Sequence, residues 1–127
     1  MVALAALLAT ACAGNGDSDD RTVTVAGQPV SVPPLIDAHA ARCQAAAQPD
    51  AARRHFIDRA HDQLHTVARA LEDVDRAQAA QLLQAKERVE SELQNPPATL
   101  PDDLRRLAGV YRDGLGRLAI AAPPCDK

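Results

Sequence analysis

The chain has 127 residues, room for one domain, and its 17 acidic and 14 basic side chains leave a formal net charge of −3. That balance offers no basic field to a phosphate backbone. An aromatic content of 2%, Phe56 and Tyr111, leaves almost nothing on which a base or sugar could stack, so nucleic acid is excluded as a partner.

The core must therefore be built from Leu, Val, Ile and Ala, and it is thin because each Ala buries little area. Ala is the commonest residue and Arg outnumbers Lys twelve to two. Both have GC-rich codons, so the skew points to a high-GC genome.

The first eleven residues, MVALAALLATA, carry no charge and run directly into Cys12. An apolar stretch of this length falls short of the ~20 residues that span a bilayer, but has the length of a signal-peptide apolar region. Small residues, Ala9, Thr10 and Ala11, precede the cysteine. The segment resembles the signal of bacterial lipoproteins, in which Leu, a small residue and Gly or Ala precede the cysteine. Thr10 and Ala11 match that pattern; Ala9 stands where Leu is usual and Leu8 lies one place early. The resemblance covers the first twenty residues only. With the codon skew, it implies a small lipoprotein of a high-GC, actinobacterial cell. Residues 1–11 would be a cleaved signal peptide. Cys12 would carry the lipid, a diacylglycerol thioether with palmitate among its acyl chains. Residues 12–20, CAGNGDSDD, would be a flexible tether. The protein would then sit on the cell membrane, facing outside the cytoplasm. No Lys or Arg precedes the apolar run, so the expectation is that the true start, with basic codons, lies upstream of Met1 or that the chain has been trimmed.

Setting Cys12 aside leaves Cys43 and Cys125. In an exported chain such a pair is most simply a disulfide, the alternative being two free thiols. Neither lies in a C-x-x-C, so redox catalysis is not expected.

In the body, RTVTVAGQPVSV alternates on either side of Gly27 and predicts a β-hairpin within residues 21–33, ended by Pro33 and Pro34. Residues 34–127 are expected to form a helical domain. A short first helix is read from Leu35, Ile36, His39, Ala40, Cys43 and Ala47. Between Asp50 and Gln94 there is no Gly or Pro, and Ile57, Ala60, Leu64, Val67, Leu71 and Val74 keep helical spacing. The polar Gln78 then breaks the stripe, which resumes at Leu82, Ala85 or Lys86, Val89 and Leu93. Either one long helix bends there or two helices meet near Glu72 to Asp75; the bent helix is the favoured reading. Asn95-Pro96-Pro97 stops it, and Thr99 and Pro101 announce a last helix whose apolar face is Leu104, Leu107, Tyr111, Leu115, Leu118 and Ala122. Gly109 and Gly116 share a face and suggest a close crossing against the Ala-rich stretch 77–85, with a kink or early end near Gly114 as the other reading. The fold class is thus mainly α: a small bundle built on one long, bent helix behind a short hairpin. Neither a straight long helix nor a simple up-and-down bundle brings Cys43 to Cys125.

His61 and His65 lie one helical turn apart with Asp62 between, similar to the H-E-x-x-H zinc pattern but with Asp for Glu, poorly placed as a general base. His55 and Asp58 share that helix, and His39 could approach from the first. A solvated flank of the apolar stripe explains the same residues, so no metal site is assigned. Asp17, Asp19 and Asp20 lack the spacing of a calcium loop. Arg53, Arg54, Arg105, Arg106, Arg112 and Arg117 alternate with acids, as on solvated faces. The final Lys127 matches the residue by which one murein-linked lipoprotein joins the cell wall, a match of one residue. No catalytic residues and no cofactor site are expected. The leading expectation is a non-enzymatic envelope lipoprotein whose helical domain binds or positions another envelope component, an envelope protein partner. The alternatives are a carrier of a lipid or apolar ligand and, more distantly, a zinc-dependent hydrolase.

Overall fold

The computed structural model describes residues 21–54 and 60–125. The signal-like segment, Cys12, Asp17, Asp19, Asp20, His55, Asp58 and Lys127 lie outside the described residues. The domain is mainly helical behind a two-stranded antiparallel hairpin, as the sequence pattern predicts.

Strands β1 (Thr22–Val25) and β2 (Gln28–Ser31) pair Val25 with Gln28 and Val23 with Val30. The loop between them is Ala26-Gly27, both at positive φ, 49° and 79°. A two-residue hairpin loop with both φ positive twists with its strands, and Gly27 takes that conformation without cost. Two strands are marginal alone. This pair leans on the bundle: Val25 is buried and Val23 and Val30 pack partly against the core.

Helix α1 (Val32–Ala47) starts before the proline pair, not after it. Pro33 and Pro34 occupy its first turn, where no backbone N–H is needed and φ is already set. Its buried face is Val32, Leu35, Ala38, His39, Ala41, Arg42, Ala45 and Ala46. That face is rotated from the expected one: Ala40 and Ala47 are exposed, Ile36 and Cys43 sit at its border, and Arg42 is inside. With alanine on every side, the side chains alone fix the phase poorly.

A 3-10 turn, Pro49–Ala51, follows. Helices α2 (His61–Leu71) and α3 (Arg76–Gln94) come next. The favoured bent helix is therefore two helices, meeting at residues 72–75, the other arrangement that the phase slip allowed. The turn is closed by Val74 and Asp75 N–H groups on the Leu71 carbonyl, and Asp75 then caps α3 by accepting from the Gln78 N–H at 3.0 Å. The break puts Val74 in solvent at 60% exposure and turns Gln78 inward, where its Nε2 donates to the Val110 carbonyl at 3.0 Å. The polar residue that interrupts the stripe is thus a buried, satisfied group.

Helix α4 (Leu100–Arg117) packs chiefly on α3 and α1. Leu104, Leu107, Tyr111 and Leu115 are buried, as the stripe predicts. The close crossing is made by Gly114, not by Gly109 and Gly116. A Cβ on Gly114 would lie 3.0 Å from Leu71 Cδ1 and 3.6 Å from Val67 Cγ1, whereas Gly109 and Gly116 face open space. The partner in the crossing is α2 rather than the Ala-rich start of α3.

After Arg117 the chain leaves the helix instead of carrying its stripe to Ala122. The Ile120 N–H reaches the Leu115 carbonyl at 2.9 Å and the Ala119 N–H the Gly116 carbonyl at 3.0 Å, with Ala119 at φ 59°. This is a Schellman end with alanine where glycine is usual. Ile120 folds into the core beside it.

Candidate functional site

The residues after the Schellman end form a tail that runs back over α4 and along α1. Arg21 Nη1 donates to the Ala119 carbonyl at 3.2 Å, and Arg112 Nε to that of Ala122 at 2.8 Å. His39 Nε2 donates to the Pro123 carbonyl at 2.7 Å. The tail ends in the Cys43–Cys125 disulfide, with Cα atoms 5.1 Å apart across 82 residues of sequence. The bridge expected from the cysteine count is present. It closes because the break at residues 72–75 shortens the bundle and the Schellman end reverses the chain. Neither ideal topology supplies both.

Beneath the tail lies a polar cluster in the core. The His39 and Tyr111 rings are nearly parallel, 11° apart with centroids 6.3 Å distant. The Arg42 guanidinium carbon sits 3.9 Å from the Tyr111 ring centroid. Tyr111 Oη donates to the Leu35 carbonyl at 2.8 Å. Arg42 donates to the carbonyls of Ala38, at 3.1 Å, and Ala60, at 2.5 Å. Among the described residues no carboxylate pairs with it. A buried cation normally needs an anion; here two carbonyl dipoles and an aromatic face share that role.

Burial shifts the pKa of all three groups. It lowers the Arg42 pKa to about 10 and raises that of Tyr111 to about 12, partly offset in each case by the other. Both therefore keep their ordinary neutral-pH states, cation and phenol. Burial also lowers the pKa of His39, opposed by the Pro123 hydrogen bond and reinforced by the charges of Arg112 and Arg42. The ring is neutral at pH 7. Because a carbonyl only accepts, its proton is on Nε2, leaving Nδ1 buried without a hydrogen-bond partner.

His61 and His65 share one flank of α2, their ring centroids 4.9 Å apart. His61 Nδ1 pairs with Glu90 Oε1 on α3 at 3.2 Å, and Glu90 also pairs with Lys86 at 3.0 Å. His39 does not join them; its ring is committed to Pro123 and Tyr111. What His39 does approach is sulfur, with Nε2 3.5 Å from Cys43 Sγ.

The sequence reading missed Arg42 altogether and took Tyr111 only as apolar. The available signal was the competing stripe through Leu35, Ala38, Arg42 and Ala45, which places an arginine on the buried face of a helix poor in large side chains. The chain matches no protein-family model, no curated protein and no solved structure.

Proposed function

We propose that the protein is a non-enzymatic envelope lipoprotein, anchored by lipid on Cys12, whose helical domain binds or positions another envelope component. The observation that carries this reading is the Cys43–Cys125 disulfide, since such bonds persist in oxidising compartments outside the cytoplasm. The run MVALAALLATAC supports export and acylation at the other end of the chain. No described helix is long and apolar enough to cross a membrane, so lipid on Cys12 would supply the attachment. The high-GC, actinobacterial origin belongs to the same proposal.

The carrier and zinc-hydrolase readings draw less support. Leu64, Leu71, Leu82, Leu104, Leu107 and Leu115 fill the interior, so an apolar ligand would have to part the helices. The His61 ring is turned to Glu90, and Asp62 is exposed.

The test is metabolic labelling of the native host with a clickable palmitate analogue, followed by crosslinking in intact cells. The expected result is label on the wild-type chain, none on Cys12→Ser, and recovery of an envelope protein crosslinked to the helical domain. A native chain that begins at Met1 and carries no acyl group overturns the lipoprotein reading.

A further inference from the structure

We propose that the reduced form of this protein binds one thiophilic cation, zinc(II) or copper(I), through Cys43 Sγ, Cys125 Sγ and His39. The three residues lie on α1 and the tail, and their ligand atoms fall within 4.8 Å of one another. Among the described residues, no other group of three or more potential ligands converges this way. Two thiolates and an imidazole suit zinc and copper(I) by softness.

The geometry is close to a binding geometry already. Zn–S of about 2.3 Å and Zn–N of about 2.0–2.1 Å at a tetrahedral angle put sulfur and nitrogen about 3.5 Å apart. Cys43 Sγ and His39 Nε2 are 3.5 Å apart here. The two sulfurs must separate from their bond to about 3.8 Å, the spacing of two thiolates on one zinc. Cys125 lies beyond the last helix on the tail, so its side chain can turn without disturbing a helix. His39 Nε2 must give up its hydrogen bond to the Pro123 carbonyl and exchange that proton for the cation. Nδ1, buried and without a hydrogen-bond partner, takes the proton in the other neutral tautomer.

The step balances with a dithiol as reductant. The dithiol gives two electrons to the Cys43–Cys125 bond and closes to its own disulfide. The S–S bond breaks, two S–metal bonds form, and the two protons of the dithiol leave to solvent. Both cysteines are half-buried, so a small dithiol can reach the bond.

The test reduces the purified chain anaerobically with a water-soluble phosphine and titrates it with cobalt(II), a spectroscopic substitute for zinc, and separately with copper(I) against a chelator. The expected result is one equivalent of cobalt with a thiolate-to-cobalt charge-transfer band, displaced by zinc and abolished in Cys43→Ser. The copper(I) arm decides which cation binds more tightly. His39→Gln keeps a donor for the Pro123 carbonyl but supplies no imidazole, and should weaken binding at least about tenfold, the loss that even outer-shell partners cause. His39→Cys cannot make that hydrogen bond in the same way but restores a ligand, and should retain binding. If the reduced chain loses helicity, its recovery on adding cobalt supports the site. No charge-transfer band, no recovery of a lost fold, equal affinity in His39→Gln, or equal uptake by the oxidised chain each overturns it.

Discussion

The Arg42 guanidinium carbon lies over the buried Tyr111 ring, 3.9 Å from its centroid, and Tyr111 in turn holds the Leu35 carbonyl of the helix that carries Arg42. Each group keeps the other tolerable in a core with little else to offer. Tyr111→Phe retains the ring and removes one hydrogen bond, so it should cost about 1 kcal/mol. Tyr111→Ala opens a cavity and strips the cation of its aromatic face, and should cost about 3–5 kcal/mol. Denaturant melts of the oxidised variants measure both. Equal costs would show that the ring contributes nothing beyond its hydroxyl.

The disulfide should carry much of the stability of so small a core. Cys43→Ala with Cys125→Ala is expected to lower unfolding free energy by about 2–5 kcal/mol. The oxidised domain should show no titratable thiol on either cysteine. An unchanged denaturant midpoint in the double variant would mean that the hydrogen bonds of His39 and Arg112 hold the tail unaided.

Stability should fall on mild acidification. The folded pKa of His39 is depressed, chiefly by burial, so below an unfolded value of about 6.5 the unfolded chain binds protons that the folded chain refuses. Stability is then full above that value and is lost as pH falls through it toward the folded pKa. His65, largely exposed, is shifted the same way by partial desolvation and by the charges of Lys86, His61 and Arg69, against Glu90. His39→Gln, which still donates to Pro123, should flatten the dependence more than His65→Gln. Chemical denaturation at several pH values between 5 and 8 reads the slopes, and identical slopes in wild type and His39→Gln would contradict the assignment.

The glycines of α4 should respond in opposite directions. Gly114→Ala puts a methyl 3.0 Å from the buried Leu71 Cδ1, which must shift, and should destabilise by about 1–3 kcal/mol. Gly109→Ala meets nothing and should stabilise by up to about 1 kcal/mol, the helix-propensity difference. Thermal melts of the two variants distinguish them, and a stabilised Gly114→Ala would show that the crossing can relax.

The alternation around Gly27, the stripe from Leu64 to Leu71, the proline pair after Asn95 and the stripe from Leu104 to Leu115 were enough to place the hairpin and the main helices. These patterns are local, since each element buries one face and marks it along the chain. The disulfide could be expected from the cysteine count alone. Where the chain stops being helical near Asp75 and after Arg117 was settled by local caps together with burial that only the assembled bundle supplies, Gln78 turning in to the Val110 carbonyl and Ile120 folding into the core. There a capping carboxylate and a left-handed alanine compete with an apolar pattern that continues regardless. The phase of α1 was also hidden, because alanine on every side makes several faces equally apolar. Arg42 became a core residue only once Tyr111 and the Ala60 carbonyl were brought to it. The meeting of His39, Cys43 and Cys125 likewise has no sequence signature. It depends on a tail folded back across 82 residues, and that closure is paid for by contacts that only the assembled bundle supplies.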